Sequence, residues 1–328
     1  MRRIIAISLF FTLFSSCVED YSLYRQEITP RLVVEGLITN KSGPYYIRLT
    51  ESQTGSFVEP DYNNSDDAVP VKNAKIIISD NIDQIDTLIP VEVNLAEYTL
   101  DQFGYYKLIY DNSGNIIDTF FLKDPAAYNY DRGFYKTTHI KGISGRTYSL
   151  KIISEGKEYQ ASDYMSPVAQ IDSVGFIRKI LEKDKAESVV PLLYFSEPRG
   201  ETNYYLIQLN DDVSMRTYSA STLWQFSILS DEFLQPYVNG LNISQGETPR
   251  SIEYPYFMEG DSIFVGLSSL TSHAYEYYKI LLQQFKNDGG AYQPSPGSPP
   301  TNMSNGALGY FRASSVSEKR LKIPRPLK

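Results

Sequence analysis

Short β-rich segments separated by turn residues recur along most of this 328-residue chain, and they constrain its fold more than any other feature. Residues 45–50 alternate apolar side chains with polar or aromatic ones, which is the pattern of a half-buried strand. Residues 147–154 and 158–162 predict a hairpin that turns around Gly156. No segment before residue 170 has helical periodicity, so strands at this spacing predict an antiparallel β-sandwich.

The second half of the chain adds further predicted strands and one predicted helix. Residues 272–286 place Tyr275, Tyr278 and Leu282 on one face at helical spacing, and Ser272 is a candidate N-cap. The predicted strands of this half are residues 171–174, 191–196, 203–210 and 262–267, followed by closing strands within 306–316 and 320–323. The predicted fold class is therefore mainly β.

The length fits about two domains of roughly 150 residues each. A boundary is expected near Pro167, where a short irregular segment separates the two sets of strands. The predicted organisation is a signal peptide over 1–16, a tether over 17–30, a β-sandwich over 31–167, a β-rich domain with the helix over 168–323, and a tail over 324–328.

Composition excludes several classes of function. The chain carries 31 Lys and Arg against 39 Asp and Glu, and this net charge of −8 disfavours sequence-independent binding to nucleic acid. Cys17, His139 and His273 are its only cysteine and histidines, which excludes disulfide scaffolds and thiolate zinc sites. No nucleophile elbow, phosphate-binding loop or zinc-protease motif occurs, so we expect no cofactor, no metal and no catalytic residue.

The first seventeen residues have the features of a lipoprotein leader. Arg2 and Arg3 precede an apolar run over 4–14, which is too short to span a bilayer but suits a secretory signal. Cys17 follows at the expected cleavage point, within a segment that resembles a bacterial lipobox, although Phe14 stands where leucine is common. We expect lipidation at Cys17, and the alternative is an unlipidated secretory signal.

An acidic pair, Glu19 and Asp20, follows the cysteine directly. It resembles the surface-export signal of Bacteroidota lipoproteins, which implies an outer-membrane protein that faces the cell surface. The alternative is that these are two solvated charges at the head of a tether.

Several motifs in the body of the chain carry a resemblance to one family. They are Leu-Val-Val-Glu-Gly at 32–36, Gly-Pro-Tyr at 43–45, Val-Lys-Asn-Ala-Lys at 71–75, Gly-Arg-Thr-Tyr-Ser-Leu at 145–150 and Asn-Gly-Ala-Leu-Gly-Tyr-Phe-Arg-Ala-Ser at 305–314. With the leader, they resemble the Bacteroidota lipoprotein family catalogued as domain of unknown function four-two-four-nine, over residues 17–323. The resemblance implies accessory work beside outer-membrane TonB-dependent transporters, and it supplies no reaction.

Two of these motifs also resemble those of other sandwich folds. The segments at 71–76 and 145–150 are similar to those of transthyretin-like and carboxypeptidase-regulatory-like domains. The resemblance implies that the first domain is an immunoglobulin- or transthyretin-like antiparallel sandwich.

Two irregular stretches are candidate surfaces for contact with a partner. The acidic loop at 59–67 includes Asp61, Asp66 and Asp67, and the proline-rich segment at 293–305 includes Pro294, Pro296, Pro299 and Pro300. We expect both to be exposed and free to contact a barrel protein, and the alternative is a spacer loop. Calcium binding by the acidic loop is a further alternative, although an EF-hand fails because Asp66 occupies the glycine position.

Three short triplets match the Asp-Ser/Thr-aliphatic acceptor of Bacteroidota O-glycosylation. Their acceptor residues are Thr87, Ser173 and Ser262, and chance matches to so short a motif are expected. Trp224, with Tyr218 and Phe226, could form a stacking platform for a sugar, but burial in the core is favoured.

Three functions remain open, and they belong to two classes, a binding protein and an enzyme. The favoured one is a non-catalytic accessory or binding subunit of an outer-membrane barrel, such as a TonB-dependent transporter. The alternatives are a secreted surface hydrolase that uses carboxylates, and a carbohydrate- or peptide-binding module that works alone. An enzyme needs titratable groups that converge in one concave site, whereas a binding module needs an exposed aromatic or loop surface.

Overall fold

A computed structural model describes residues 29–52, 69–91, 99–101, 104–110, 116–122, 133–180, 187–211, 226–242, 262–286 and 297–323. The fold of these residues is mainly β, as predicted, with twenty strands, one α-helix and one short 3-10 helix. None of the helices in these ranges is long and apolar enough to cross a membrane.

The strands follow one another closely along the chain. The first half contains β1 (Leu32–Thr39), β2 (Tyr46–Glu51), β3 (Val69–Pro70), β4 (Lys75–Asp80), β5 (Ile85–Thr87), β6 (Ile89–Pro90), β7 (Thr99–Asp101), β8 (Gly104–Tyr110), β9 (Ile116–Leu122), β10 (Phe134–Lys136), β11 (Thr147–Ser154) and β12 (Lys157–Tyr164). The second half contains β13 (Ile171–Ile180), β14 (Glu187–Ser196), β15 (Tyr204–Asp211), β16 (Phe226–Ser230), β17 (Tyr237–Asn242), β18 (Ser262–Leu270), α1 (Ser272–Lys286), β19 (Leu308–Ser314) and β20 (Val316–Lys322).

Two sheets share the first hydrophobic core. One has the order β19-β1-β2-β10-β6, with β3 beside β2, and the other has the order β12-β11-β4-β5. Leu32, Val34, Gly36 and Ile38 of β1 are buried and alternate with half-buried residues, as expected of a strand with one face on a core. Strands β7, β8 and β9 form a separate antiparallel sheet.

The second core lies between two further sheets, β13-β14-β17 and β16-β15-β18-β20. Leu193 and Phe195 of β14 pack there with Tyr205 and Ile207 of β15. The rings of Phe195 and Tyr205 meet edge to face with their centroids 6.0 Å apart, an arrangement that aromatic pairs favour.

Helix α1 covers the opposite face of the β16-β15-β18-β20 sheet. Because successive side chains of a strand point to opposite faces, Leu206 of β15 packs away from the second core and against Ala274 and Leu282 of the helix. The predicted helix range is confirmed, but its N-cap is not Ser272. The hydroxyl of Thr271, one residue earlier, accepts a hydrogen bond from the amide of Ala274 at 3.3 Å.

The C-terminal strands tie the two sandwiches together. Residues 308–314 fall in the range predicted for the second domain, yet β19 pairs in parallel with β1, from Val33↔Leu308 to Thr39↔Ser314. Phe311 and Ala313 of β19 fill the first core, which is the physical reason for this pairing. After Ser315, β20 pairs with β18 of the second sandwich. The first sandwich is therefore not wholly antiparallel, and the limits of the two domains stay a prediction.

Asp163 lies buried at this junction. Its carboxylate accepts hydrogen bonds from the Ala313 amide of β19 at 2.9 Å and from the Thr271 hydroxyl at 3.0 Å. Burial raises the pKa of Asp163 to about 6, although the hydrogen bonds and the nearby positive charge of Arg312 act in the opposite direction. One carboxylate thus links the first sandwich to the segment that begins α1.

Candidate functional site at one end of the second sandwich

Two loops cross between the sheets of the second sandwich at the same end. The chain passes from β14 to β15 through residues 197–203, and it returns from β16 to β17 through residues 231–236. Strand pairing brings the loops side by side, because Ser196 is paired with Tyr237 and Tyr204 is paired with Ser230.

Asn203 connects the two loops. Its backbone amide donates to Asp231 Oδ2 at 2.7 Å, and its side-chain Nδ2 contacts both Asp231 Oδ2 and Glu197 Oε1 at 3.1 Å. These two carboxylate oxygens are therefore no farther apart than twice that distance. The same nitrogen also lies 3.4 Å from the Pro198 carbonyl oxygen and 3.3 Å from that of Glu201. The loops converge on an arrangement rich in hydrogen-bond acceptors.

Glu197 is an acid of this site whose surroundings raise its pKa. Its Oε1 accepts a second hydrogen bond, from the Tyr205 hydroxyl at 2.8 Å. Its Oε2 is buried and has no hydrogen-bond partner among the residues that the structure describes. Burial raises the pKa of Glu197, and the charge of Asp231 raises it further, against the hydrogen bonds from Tyr205 and Asn203.

A shallow, open cavity of about 360 Å³ lies between the loops. Residues 197–201 line one wall, and Asp231, Leu234 and Pro236 line the other. Three of the lining side chains are carboxylates, and Arg199 is the one cation. No group of three or more potential metal-ligating His, Cys, Asp or Glu side chains occurs in the part of the chain described.

An exposed aromatic residue stands beside the cavity on a fixed turn. Phe233 ends the 3-10 helix Asp231–Phe233, and 84% of its surface is exposed. Backbone hydrogen bonds from Asp231 to Asn203 and from Leu234 to Asp231 hold this turn, and Leu234 packs against the second core. Tyr237, at the start of β17, is also exposed. The site therefore combines an acceptor-rich cavity with a displayed aromatic side chain.

Most of the residues expected to carry function fall outside the described ranges. They are Cys17, Glu19, Asp20, Asp61, Asp66, Asp67, Pro294 and Pro296, and with them Tyr218 and Trp224 of the proposed stacking platform. The third member of that platform, Phe226, is buried against α1, as favoured from the sequence.

The proline-rich segment is only partly available for contact. Pro299 and Pro300 are half-buried, and their contact with a partner stays a prediction. Residues 301–305 are not free, because they are hydrogen-bonded along β12. Ser304 exchanges hydrogen bonds with the backbone of Gln160, and Asn302 Nδ2 donates to the carbonyl of Ser162. This end of the segment has a structural role, because its polar groups are hydrogen-bonded to the backbone of β12.

Two of the three predicted modification sites are exposed on the described strands. Thr87 and Ser173 are exposed, whereas the side chain of Ser262 lies outside the described residues. Asp86, which precedes Thr87, is buried and holds a loop of the first sandwich. Glycosylation at these three positions stays a prediction.

Both histidines make local contacts. The two ring nitrogens of His139 lie 2.9 Å from the Thr138 hydroxyl and from the Ile85 carbonyl. His273 Nδ1 lies 3.1 Å from the Tyr310 hydroxyl, near the start of α1. These contacts fix the side chains in two different parts of the molecule.

The convergence of Glu197 and Asp231 was missed from the sequence. The two residues are 34 positions apart, and neither belongs to a known motif. Only the pairing of β15 with β16 and of β14 with β17 brings them together. The turn residues Glu197-Pro198-Arg199-Gly200 predict a loop at this position, but they do not predict which other loop lies beside it.

Comparison with known protein families gives a match over most of the chain. The family model described as Domain of unknown function (DUF4249) matches residues 18–320, which include all strands from β1 to β19 and most of β20. No curated protein matches the chain.

Proposed function

The chain belongs to the family described as Domain of unknown function (DUF4249), and on that premise we propose that it is a non-catalytic accessory subunit of an outer-membrane β-barrel. The partner in this proposal is a barrel such as a TonB-dependent transporter. A lipid on Cys17 holds the protein at the outer membrane, with its folded part facing the cell surface.

The observation that carries this proposal is the exposure of Phe233 on a turn held by hydrogen bonds. Large aromatic side chains dominate the binding energy of protein interfaces when they fill a pocket of the partner. The turn is already fixed, so little conformational entropy is lost on docking. Both features favour a surface that binds another protein.

Membrane anchoring supports the same proposal. A lipid at Cys17 confines the protein to the plane of the outer membrane, which raises its effective concentration near a barrel in the same membrane. Even a modest interface then suffices for assembly.

Cross-linking in intact cells, followed by extraction in mild detergent, tests the proposal. We expect a barrel protein to be recovered with the wild-type chain and a loss of at least fivefold in recovery with Phe233→Ala, at an unchanged melting temperature. Ile82→Ala is the matched control, because Ile82 is another exposed apolar residue, on a turn of the first sandwich. A lone monomer under conditions that preserve known transporter–lipoprotein pairs would contradict the proposal.

The anchor has its own test. Cys17→Ala should release the protein from the membrane or leave its leader uncleaved, because no other thiol is present to accept the lipid. Processed protein that still fractionates with the outer membrane would contradict lipid anchoring.

A hydrolase that uses carboxylates is the second candidate function. Glu197 and Asp231 favour it, because they share the hydrogen bonds of Asn203 and line one cavity. Such an enzyme would use Glu197, whose pKa is raised, as the general acid. Turnover of a glycoside or ester substrate that is lost in both Glu197→Gln and Asp231→Asn would establish this alternative over the accessory subunit.

A further inference from the structure

We infer that the basic edge formed by the last strand, β20, binds the anionic phosphate groups of the outer-membrane surface. The inference rests on the outer-membrane location in the proposed function. It adds an electrostatic attachment to the lipid on Cys17, and its partner is the membrane itself rather than the barrel.

Positive charge is concentrated at the end of the chain. Residues 319–328 include five basic side chains and no acidic one, although the whole chain has a net charge of −8. These basic side chains are Lys319, Arg320 and Lys322 of β20, followed by Arg325 and Lys328. A basic segment at the end of an acidic chain is a charge asymmetry typical of binding to anionic surfaces.

The fold exposes the charges of β20 along one edge of the second sandwich. Among the described strands, β20 ends the sheet β16-β15-β18-β20, and Lys319, Arg320 and Lys322 are exposed. Successive side chains of a strand point to opposite faces, so Lys319 lies on one face of the sheet and the other two lie on the opposite face. A surface that approaches this edge therefore meets positive charge from both faces.

The neighbouring strand does not neutralise this edge. Strand β18, which pairs with β20, contains no charged residue along Ser262–Leu270. The one acid of β20 is Glu318, and its Oε1 lies 3.0 Å from Lys41 Nζ. Neither Lys319 nor Lys322 forms an ion pair within the part of the chain that the structure describes. Their charges are therefore available to an external anion.

The tether predicted from the sequence is long enough to let this edge reach the membrane. Arg31 lies beside the start of β19, where its Nε donates to the carbonyl of Gly306, and β20 ends at Lys322. At about 3.3 Å per residue, the consecutive strands β19 and β20 together span at most about 50 Å. Residues 17–30 reach about the same distance when fully extended. The lipid and the basic edge can therefore contact the same membrane.

Protection of the strand edge is a different role for the same residues. Charged side chains, lysine above all, keep an edge strand from pairing with another chain. This role predicts that the protein self-associates when the charges are removed. Membrane binding predicts instead a loss of affinity for anionic vesicles, so the two roles differ in a measurable outcome.

Vesicle flotation with the unlipidated chain 18–328 tests the inference, because this chain keeps every described residue and lacks the lipid. The probes are phosphatidylcholine vesicles with and without phosphatidylglycerol, at low salt. We expect binding only to the vesicles that contain phosphatidylglycerol, and we expect added salt to weaken it by screening. Lys319→Gln combined with Lys322→Gln should weaken this binding at least about tenfold.

The matched control combines Lys75→Gln with Lys157→Gln. It removes the same charge from exposed positions on strands of the first sandwich, so we expect it to bind like the wild type. A melting curve for each variant separates a loss of binding from misfolding.

Four results would overturn the inference. They are equal binding to the two kinds of vesicle, equal losses of affinity in the two double variants, displacement by inorganic phosphate at an ionic strength at which chloride does not displace the protein, and self-association of the Lys319 and Lys322 variant at unchanged affinity for vesicles. The third result would indicate a site for free phosphate, and the fourth would assign these charges to edge protection.

The cross-linking experiment separates this inference from the proposed function. Recovery of a barrel with the wild type and with the Lys319 and Lys322 variant, together with weaker vesicle binding by that variant, supports both. Loss of the barrel in that variant at unchanged vesicle affinity overturns the inference, because the edge then binds an acidic protein surface. Absence of a barrel with the wild type overturns the accessory function, while flotation still decides whether the edge binds a membrane.

Discussion

Two glycines with nearly the same backbone conformation lie in very different surroundings. Gly309 has φ +86° and Gly145 has φ +85°, which is a region that L-residues rarely adopt. A Cβ at Gly309 would collide with the backbone oxygen of Val34 in the paired strand β1, whereas a Cβ at Gly145 meets no atom within 4 Å.

We therefore predict unequal effects of the same substitution. Gly145→Ala should cost about 1 kcal/mol, the strain of the conformation alone. Gly309→Ala should cost at least about 3 kcal/mol, because it adds a collision that separates β19 from β1. Urea unfolding of both variants measures the difference, and equal losses would contradict the close approach of the two strands.

Asp163 makes stability depend on pH near neutrality. Its pKa is raised to about 6 in the folded protein, above the ordinary value of 3.8. The folded state therefore holds the proton more tightly than the unfolded state does. The resulting stabilisation is fully present below pH 3.8 and is lost as the pH rises through 6.

We predict that Asp163→Asn removes this dependence. The amide can accept from the Ala313 backbone and donate to Thr271, so it imitates the protonated acid. Between pH 4 and pH 8, the wild type should lose about 2–3 kcal/mol relative to the variant. Unfolding curves over this range measure the effect, and parallel pH profiles for the two proteins would contradict it.

At the scale of elements, a buried carboxylate fixes the loop that follows β10. Asp86 of β5 accepts hydrogen bonds at 2.8, 2.8 and 3.0 Å from the successive amides of Thr138, His139 and Ile140. Burial alone would raise the pKa of Asp86, but these donors favour the charged form and hold the pKa below its usual value. The loop thus depends on an ionised side chain.

Replacing that carboxylate should release the loop. We predict that Asp86→Asn costs about 1–2 kcal/mol and speeds proteolysis near residues 138–140, because a neutral amide oxygen accepts the three backbone hydrogen bonds more weakly than the carboxylate does. The stabilisation by Asp86 is present above its ordinary pKa and is lost on acidification below it. Asp83→Asn is the control, since that side chain is 74% exposed and should change stability by less than about 0.5 kcal/mol. Equal losses of stability in the two variants would contradict the role of Asp86 in holding the loop.

At the scale of the whole molecule, β19 and β20 join two hydrophobic cores through consecutive strands. Phe311 of β19 is fully buried in the first core, and β20 is paired with β18 beside the second. Asp163 and Thr271 add a partly buried hydrogen bond across the same junction. The two sandwiches should therefore unfold together.

We predict a single two-state thermal transition for the full chain, with equal calorimetric and van't Hoff enthalpies. Phe311→Leu should cost about 1 kcal/mol and lower hydrogen-exchange protection equally in β11 and β15, which belong to different sandwiches. Protection lost in β11 but kept in β15 would show two independent units and contradict the coupling.

Local sequence patterns were sufficient to predict much of the secondary structure of this fold. The hairpin of β11 and β12, the range of α1 and most strands of both halves follow from side-chain periodicity and turn residues, which depend on immediate neighbours only. The sequence also determined the family, because its motifs are local strings of residues, and a family match over residues 18–320 confirms that resemblance.

Only the tertiary structure decided which distant strands pair. The parallel pairing of β1 with β19 joins segments about 275 residues apart, and no periodicity within either segment indicates a partner. The candidate site has the same origin, because Glu197, Asn203 and Asp231 meet only where two sheet registers bring their loops together. Pairing between distant segments is selected by the complementarity of the whole core, so it leaves no signal in either segment alone.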